Sequence, residues 1–197
     1  EDLLIAAWRD RLAAGPLTPV TADRRPLLIV VPRHPQRFEA VADRLVAGFG
    51  AAALARRADL DGARPALAGD TVAPALASDA SEPALVGVDV LLGDSMGEMP
   101  AWYAAADVAI IGGSLLPFGA QNLIEANAVG CPVVLGPSTF NFAQAAEASV
   151  QAGAAVQGAD ADRAVAAALD IAGDRSTREQ MATAAVHFTT AHRGATQ

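Results

Sequence analysis

The sequence predicts an α/β fold: a parallel sheet with helices packed on both of its faces. Three observations carry that prediction. Short apolar runs rich in β-branched residues alternate with stretches of helical spacing along most of the chain. Glycines and unusual polar residues recur directly after those runs, where loops at the carboxyl ends of parallel strands hold ligands. The composition, 52% hydrophobic against 18% charged over 197 residues, is that of one globular domain with a core of its own.

The elements follow in order. Residues 3–14 have helical spacing and stop at Gly15-Pro16. Residues 26–31 (PLLIVV) read as a buried strand, followed by the turn Pro32-Arg33-His34-Pro35 and a helix from about 36 to 48. Residues 51–55 form a weak strand candidate. From 57 to 83 no period holds, so loops with short strands are expected there. Val86–Leu92 is a second clear strand, ended by Gly93-Asp94-Ser95-Met96-Gly97 and followed by a short helix over 98–105. Residues 108–111 are a strand, and the helix after it opens near Gln121-Asn122 and runs to about Val129. Residues 132–135 form another strand, and Thr139 or Asn141 is placed to cap a helix reaching about 151. A last strand over 154–156 and two helices, about 160–172 and 175–190, close the chain, with Gly194 as the final terminator.

Charge and composition exclude several function classes. The net charge is −8, which argues against a nucleic-acid partner. All 14 basic residues are arginine, and none lies between Arg64 and Arg163. The single cysteine, Cys131, rules out an internal disulfide and a thiolate zinc cluster, and reads as a buried small residue. No apolar run is long enough to span a bilayer. His187 and His192 lack the company a metal would need, and no metal site is expected. The chain opens on Glu1-Asp2-Leu3 without a signal peptide, and a piece of a longer protein is expected.

The stretch 107–125, DVAIIGGSLLPFGAQNLIE, organises the rest. Strand, glycine loop and helix start together form a backbone anion site, because the first helical N–H groups have no internal partner. The glycine spacing matches neither the dinucleotide fingerprint nor the phosphate loop that ends in Gly-Lys. With no cation nearby in sequence, binding rests on the N–H groups of Gly112, Gly113 and Ser114, on helix dipoles, and on an arginine from elsewhere. Arg33 is the best such arginine, since a guanidinium pairs bidentately with phosphate; the alternative is a surface arginine in a turn. Glu125 suits the two hydroxyls of a ribose, or simply stabilises a helix start. Met96-Gly97-Glu98 offers a soft apolar surface, close backbone approach and an acid at a helix start. Asp94 reads as a loop or cap residue, His34 as a turn residue, and Ser138 to Asn141 as a second set near the sugar end of a ligand. Ser114 lacks the setting of a nucleophile. The four post-strand loops are expected to converge on one crevice.

These motifs together, VPRHPQRF, LLGDSMGEM and IGGSLLPFGAQNLIEANAVGCPVVLGPSTFNF followed by AHRGA, resemble the carboxyl-terminal half of bacterial 3-deoxy-D-manno-octulosonic acid (Kdo) transferase of lipid A assembly. They run in the family's order from about residue 27 to 195. The resemblance implies a GT-B glycosyltransferase whose Rossmann-like carboxyl-terminal domain binds the donor CMP-Kdo, with residues 1–197 as that single domain. The family's donor motifs map onto Pro32 and Arg33, onto Met96, Gly97 and Glu98, and onto Asn122, Leu123, Ile124 and Glu125. The resemblance places the general base, the lipid A precursor site and contact with the cytoplasmic face of the inner membrane in an amino-terminal half outside this chain. The chain alone is expected to bind nucleotide without turnover. The implied reaction is inverting, loses CMP and needs no metal or other cofactor, because arginine and backbone dipoles neutralise the leaving phosphate.

Two departures stand out. Gly119-Ala120-Gln121-Asn122 replaces the family's Gly-Gly-His-Asn, which removes a side chain that can carry positive charge. Ser95 replaces a threonine and keeps the hydroxyl. Two other readings fit the residues: a GT-B transferase using a UDP-sugar, and a non-catalytic binding module whose glycine loop is only structural.

Overall fold

The structure, a computed structural model, describes residues 1–14, 25–60, 85 and 87–192. They fall into two compact units, Leu27–Met96 on one hand and Glu1–Pro26 with Gly97–Gln197 on the other. Each unit is built on its own three-stranded parallel sheet.

In the Leu27–Met96 unit, strands β1 (Leu28–Val30), β2 (Leu54–Arg56) and β3 (Val90–Leu92) stand in the order β1-β3-β2. The register aligns Val30, Leu92 and Arg56 at the carboxyl end. A 3-10 turn over Pro35–Arg37 leads into α2 (Phe38–Phe49), and α3 is the short helix Arg57–Leu60. β3 is buried at all three positions, as a central parallel strand must be, and α2 buries Val41, Ala42 and Leu45. Three expectations are corrected here. The strand expected over Val86–Leu92 begins only at Val90, with Gly87 in a turn and Asp89 in a bend before it. Residues 51–53 form a 3-10 turn and the strand starts only at Leu54. The aperiodic stretch opens as helix α3, because the carboxylate of Asp94, 36 residues away, accepts from Ala58 N–H at 2.9 Å. A partner so distant leaves no local signature. The rest of that stretch, 61–83, lies outside the described residues, as does Gly194.

In the second unit, β4 (Ala109–Ile110), β5 (Val133–Leu135) and β6 (Ala155–Gln157) run in sequence order. The helices are α1 (Asp2–Ala13), α4 (Met99–Ala105), α5 (Ile124–Ala128), α6 (Ala143–Gln151), α7 (Ala161–Gly173) and α8 (Arg175–His192). Alternation along β5 divides the core. Val133 and Leu135 pack with Leu123, Ala126 and Ala146, while Val134 packs with Ala164, Ala168, Ile171 and Met181. So α5 and α6 cover one face of the sheet and α7 the other, while α8 packs Met181 beside α7 and also lies against α5. Asp160 caps α7 by accepting from Arg163 N–H at 2.8 Å, and Asp174 caps α8 through Ser176 N–H at 2.9 Å.

Helix α5 begins at Ile124, two to three residues later than its sequence suggests. Gly119 and Ala120 both have positive φ, +81° and +68°, so no right-handed helix can pass through them. Thr139 and Asn141 do not cap α6. Thr139 heads a 3-10 turn over Phe140–Phe142 without a side-chain cap, and the Asn141 amide donates instead to the Phe118 carbonyl at 2.8 Å.

Candidate functional site

The loops that leave the carboxyl ends of the strands hold nearly every residue singled out by sequence. In the second unit, residues 112–118 form consecutive turns after β4. Gly112 is exposed, and the Gln121 amide nitrogen lies 3.5 Å from where a side chain at 112 would begin. The position that carries histidine in the resembling family therefore sits against the glycine loop, here as a neutral amide.

Ser114 does not line this loop with its side chain. It is fully buried; its hydroxyl donates to Ile111 C=O at 2.6 Å and accepts from Gly136 N–H at 2.8 Å. The post-β5 loop is bound to the glycine loop throughout. Ser138 N–H donates to Ser114 C=O at 2.9 Å, its hydroxyl accepts from Gly119 N–H at 3.1 Å, and Asn141 N–H donates to Gly119 C=O at 3.1 Å. Ser138 and Asn141 are thus framework for the glycine loop. Between the two loops opens a cleft of about 530 Å³ lined mainly by Leu115, Leu116, Pro137, Thr139 and Phe140. Phe118 and Phe140 stand 65% exposed beside it, two apolar rings within stretches that the sequence marks for their glycines and polar residues.

The start of α5 is self-contained. Asn122 Oδ1 accepts from Ile124 N–H at 3.0 Å, and its amide donates to Glu125 Oε1 at 2.9 Å. Asn122 thereby takes one helical N–H that sequence reasoning offered to an anion. With five residues, α5 also has little dipole to lend. Leu123 is wholly buried in the core, so only its backbone can face a ligand, whereas Ile124 and Glu125 are exposed.

In the Leu27–Met96 unit, Pro32 is buried and Arg33 exposed, two and three residues beyond β1. Beyond β3, Met96 is 61% exposed. Gly97 and Glu98 follow it in the other unit; Glu98 is half-buried, and its carbonyl accepts from Ala101 and Trp102 N–H at the head of α4.

Asp94 is the buried anchor of the segment after β3. Its side chain is 2% exposed, and its Oδ2 accepts from Arg56 Nε at 2.7 Å. Burial alone would push its carboxyl up, but Ala58 N–H and the Arg56 guanidinium outweigh it and hold the group below the usual carboxylate value. The other end of Arg56 forms a fork with Glu39, 2.6 and 3.1 Å to its two oxygens. These two carboxylates keep Arg56 charged at any accessible pH. Arg56 was not singled out by sequence, although the rule that found Arg33, a cation directly after an apolar strand, applies to it equally. Among the described residues no group of three histidine, cysteine or acidic side chains could hold a metal, and no helix is long and apolar enough to cross a membrane.

Residues 51–188 match the family model of glycosyl transferases group 1. The chain is 45% identical over 89% of its length to a 3-deoxy-D-manno-octulosonic acid transferase of Bordetella pertussis, and 33% identical over 87% to one of Haemophilus influenzae. It spans only 36% and 35% of those relatives. In structure it resembles the C-terminal CMP-Kdo binding domain of WaaA from Acinetobacter baumannii, with a TM-score of 0.71 and 27% identity, over 94% of this chain and 80% of that one. Parallel strands with flanking helices, glycine-bearing loops at the strand ends and a family match across most of the chain lead to one conclusion: the chain belongs to the glycosyl transferases group 1 and has their GT-B type α/β fold.

Proposed function

We propose that this chain is the donor-binding domain of a Kdo transferase, and that it binds CMP-Kdo. The observation that carries the reading is the likeness to a CMP-Kdo binding domain together with 45% identity to a Kdo transferase. The placement of the motif residues at the carboxyl ends of β1, β3 and β4 is consistent with it.

The residues take the following roles. Pro32 and Arg33 receive the phosphate, with Arg33 as a bidentate donor. Met96, Gly97 and Glu98 hold the cytosine and its edge. Gly112, Gly113 and Ser114 face the phosphate or sugar with backbone N–H groups, while the Ser114 hydroxyl keeps their loop in shape. Asn122, Leu123 and Ile124 present Glu125 to the ribose. As the bond from the sugar to CMP breaks, negative charge grows on the phosphate, and Arg33 with the backbone N–H groups stabilises it there. No covalent intermediate is required and no metal enters the step.

The whole protein then transfers Kdo with inversion to a hydroxyl of lipid A precursor at the cytoplasmic face of the inner membrane. Its amino-terminal half supplies the general base and the acceptor site, so the present chain binds and does not turn over.

Calorimetry of CMP against UMP on residues 1–197 tests the reading. Selective CMP binding that weakens about tenfold or more in Arg33→Ala is expected, since hydrogen bonds to charged groups are worth roughly 1.5–3 kcal/mol. Preference for UMP would instead point to a UDP-sugar donor, and indifference to both nucleotides and to Arg33→Ala would point to a non-catalytic module.

A further inference from the structure

Beyond β3, the segment Gly93–Met96 must hold its shape although it is short, its Ser95 is only half-buried and its Met96 is exposed. The only deeply buried side chain in it that carries charge is Asp94, at 2% exposure. A carboxylate in such a position is costly unless every oxygen is matched. Both are matched from elsewhere in the same unit. Oδ2 takes Arg56 Nε at 2.7 Å from the last residue of β2, and Oδ1 takes Ala58 N–H at 2.9 Å from the first turn of α3. The register sets Arg56 beside Leu92, two residues before Asp94. The guanidinium is held in turn by the fork with Glu39 in the first turn of α2. Strand β2, helix α2 and helix α3 thus fix a single point in the loop, two residues before Met96.

We propose that Arg56 is a positioning residue for the nucleotide loop, acting through Asp94 to hold the Met96 segment where it can discriminate the base. This rests on the reading that the loop binds the cytosine of the donor. Arg56 itself makes no contact with the ligand in this scheme: its Nε is committed to Asp94 and its two terminal nitrogens to Glu39. The two carboxylates are unequal. Glu39 is 78% exposed and exchanges readily with water, whereas Asp94 has no such alternative. The consequence for binding runs through Asp94. Lysine at 56 supplies charge without a planar fork, so it can satisfy one carboxylate at a time and restores function only in part.

The test measures affinity for CMP and for UMP on residues 1–197 carrying Arg56→Ala, Arg56→Lys or Asp94→Asn, alongside amide hydrogen exchange of the ligand-free chain. Leu45→Ala, in the buried face of α2, is the control for simple loss of stability in the same unit. The expected result is a loss of CMP affinity of about tenfold in Arg56→Ala and Asp94→Asn, with the CMP-to-UMP ratio collapsing toward unity. Exchange at 93–96 quickens in both, Arg56→Lys falls between, and Leu45→Ala lowers Tm while keeping the ratio. Selective CMP binding by the parent chain that persists unchanged in Arg56→Ala and Asp94→Asn overturns the positioning role alone. A ratio that falls equally in Leu45→Ala overturns it too, by showing a mere stability effect. A parent chain that does not prefer CMP overturns the donor assignment, and this inference with it, whatever the exchange rates show.

Discussion

The backbones of Ser114 and Gly136 touch: a methyl group on Gly136 would lie 2.5 Å from the Ser114 carbonyl oxygen. The Ser114 hydroxyl, buried among these groups, accepts the Gly136 N–H at 2.8 Å. This contact joins the loop after β4 to the loop after β5. It predicts that Gly136→Ala destabilises by about 1–3 kcal/mol, because the new atom meets backbone rather than a flexible side chain. Ser114→Ala is expected to cost a similar amount, roughly 1–3 kcal/mol, by leaving the buried Gly136 N–H without its acceptor. The double variant should cost less than the sum, since both changes break one contact. Urea midpoints at constant m-value measure all three.

Ala120 occupies the left-handed region at φ +68°, where the resembling family has glycine. Opposing terms decide what a return to glycine would do. Relief of the left-handed penalty contributes about 1–2 kcal/mol. Against it stand about 0.8 kcal/mol for a buried methyl group and about 0.5–1 kcal/mol for the freedom of glycine in the unfolded chain. Ala120→Gly should therefore leave stability within about 1 kcal/mol of the parent. Ala120→Val, branched at a position with positive φ, should lose about 2 kcal/mol or more. Thermal melts of the two variants separate backbone strain from packing at this turn.

The contrast between these two positions marks what the chain's residues disclose by themselves. That 120 departs from a glycine motif is visible in the sequence; that its φ is positive is not. Strands β1 and β5 were legible because buried parallel strands must be short, apolar and β-branched. β4 was legible although its two residues are only half-buried, and β3 was legible at its end but begins at Val90 rather than at 86. The places of Arg33, Met96 and Glu125, in the loops beyond strands and at a helix start, were legible from the same pattern. Ser114 was expected as a backbone donor beside the ligand, and its role as a buried strut depends on Gly136, 22 residues away. Arg56 and Asp94 are 38 apart, and α3 is started by a carboxylate on another strand. Pairs of that separation arise only from strand order, here β1-β3-β2, which no local pattern encodes.

Glu125 can report on ribose recognition directly. Its Oε1 accepts the Asn122 amide at 2.9 Å, and a carboxylate has about four acceptor sites, so the bond leaves room for a diol. If the donor assignment is right, CMP binds more tightly than deoxy-CMP by about tenfold, the worth of a hydrogen bond to a charged acceptor. Glu125→Ala should bring the two nucleotides within about twofold of each other by weakening CMP alone. Asn122→Ala should lower the ratio only partly, while costing about 1 kcal/mol of stability through the lost bond to Ile124 N–H. Competition calorimetry with the two nucleotides measures both effects. Equal loss of CMP and deoxy-CMP binding in Glu125→Ala, with the ratio kept at about tenfold, would remove Glu125 from the ribose.

At alkaline pH the stability of this chain should fall for an unusually simple reason. It contains no lysine, one cysteine and one tyrosine, so few side chains titrate between the amino terminus and arginine. Both of the two that do are shifted the same way. Burial, helped by the nearby Asp107 charge, pushes the Cys131 thiol from 9.0 up to about 12. Burial, helped by Glu125 and Cys131, pushes Tyr103 from 10.0 up to about 12. Each folded pKa is raised, so the unfolded chain releases its protons first, and stability is whole below pH 9 and declines as pH rises toward 12. The first part of the decline, between the two ordinary values, belongs to Cys131 alone and has a limiting slope of about 1.4 kcal/mol per pH unit. Cys131→Ala should therefore flatten the stability curve in that interval and leave the later, tyrosine-dependent fall in place. The parent thiol should react with alkylating reagents only as fast as the chain opens, because its sulfur lies buried against the carbonyls of Ala106 and Pro132. Urea titrations across the alkaline range test the curve, and an equal slope in Cys131→Ala would show that the thiol ionises freely in the folded chain.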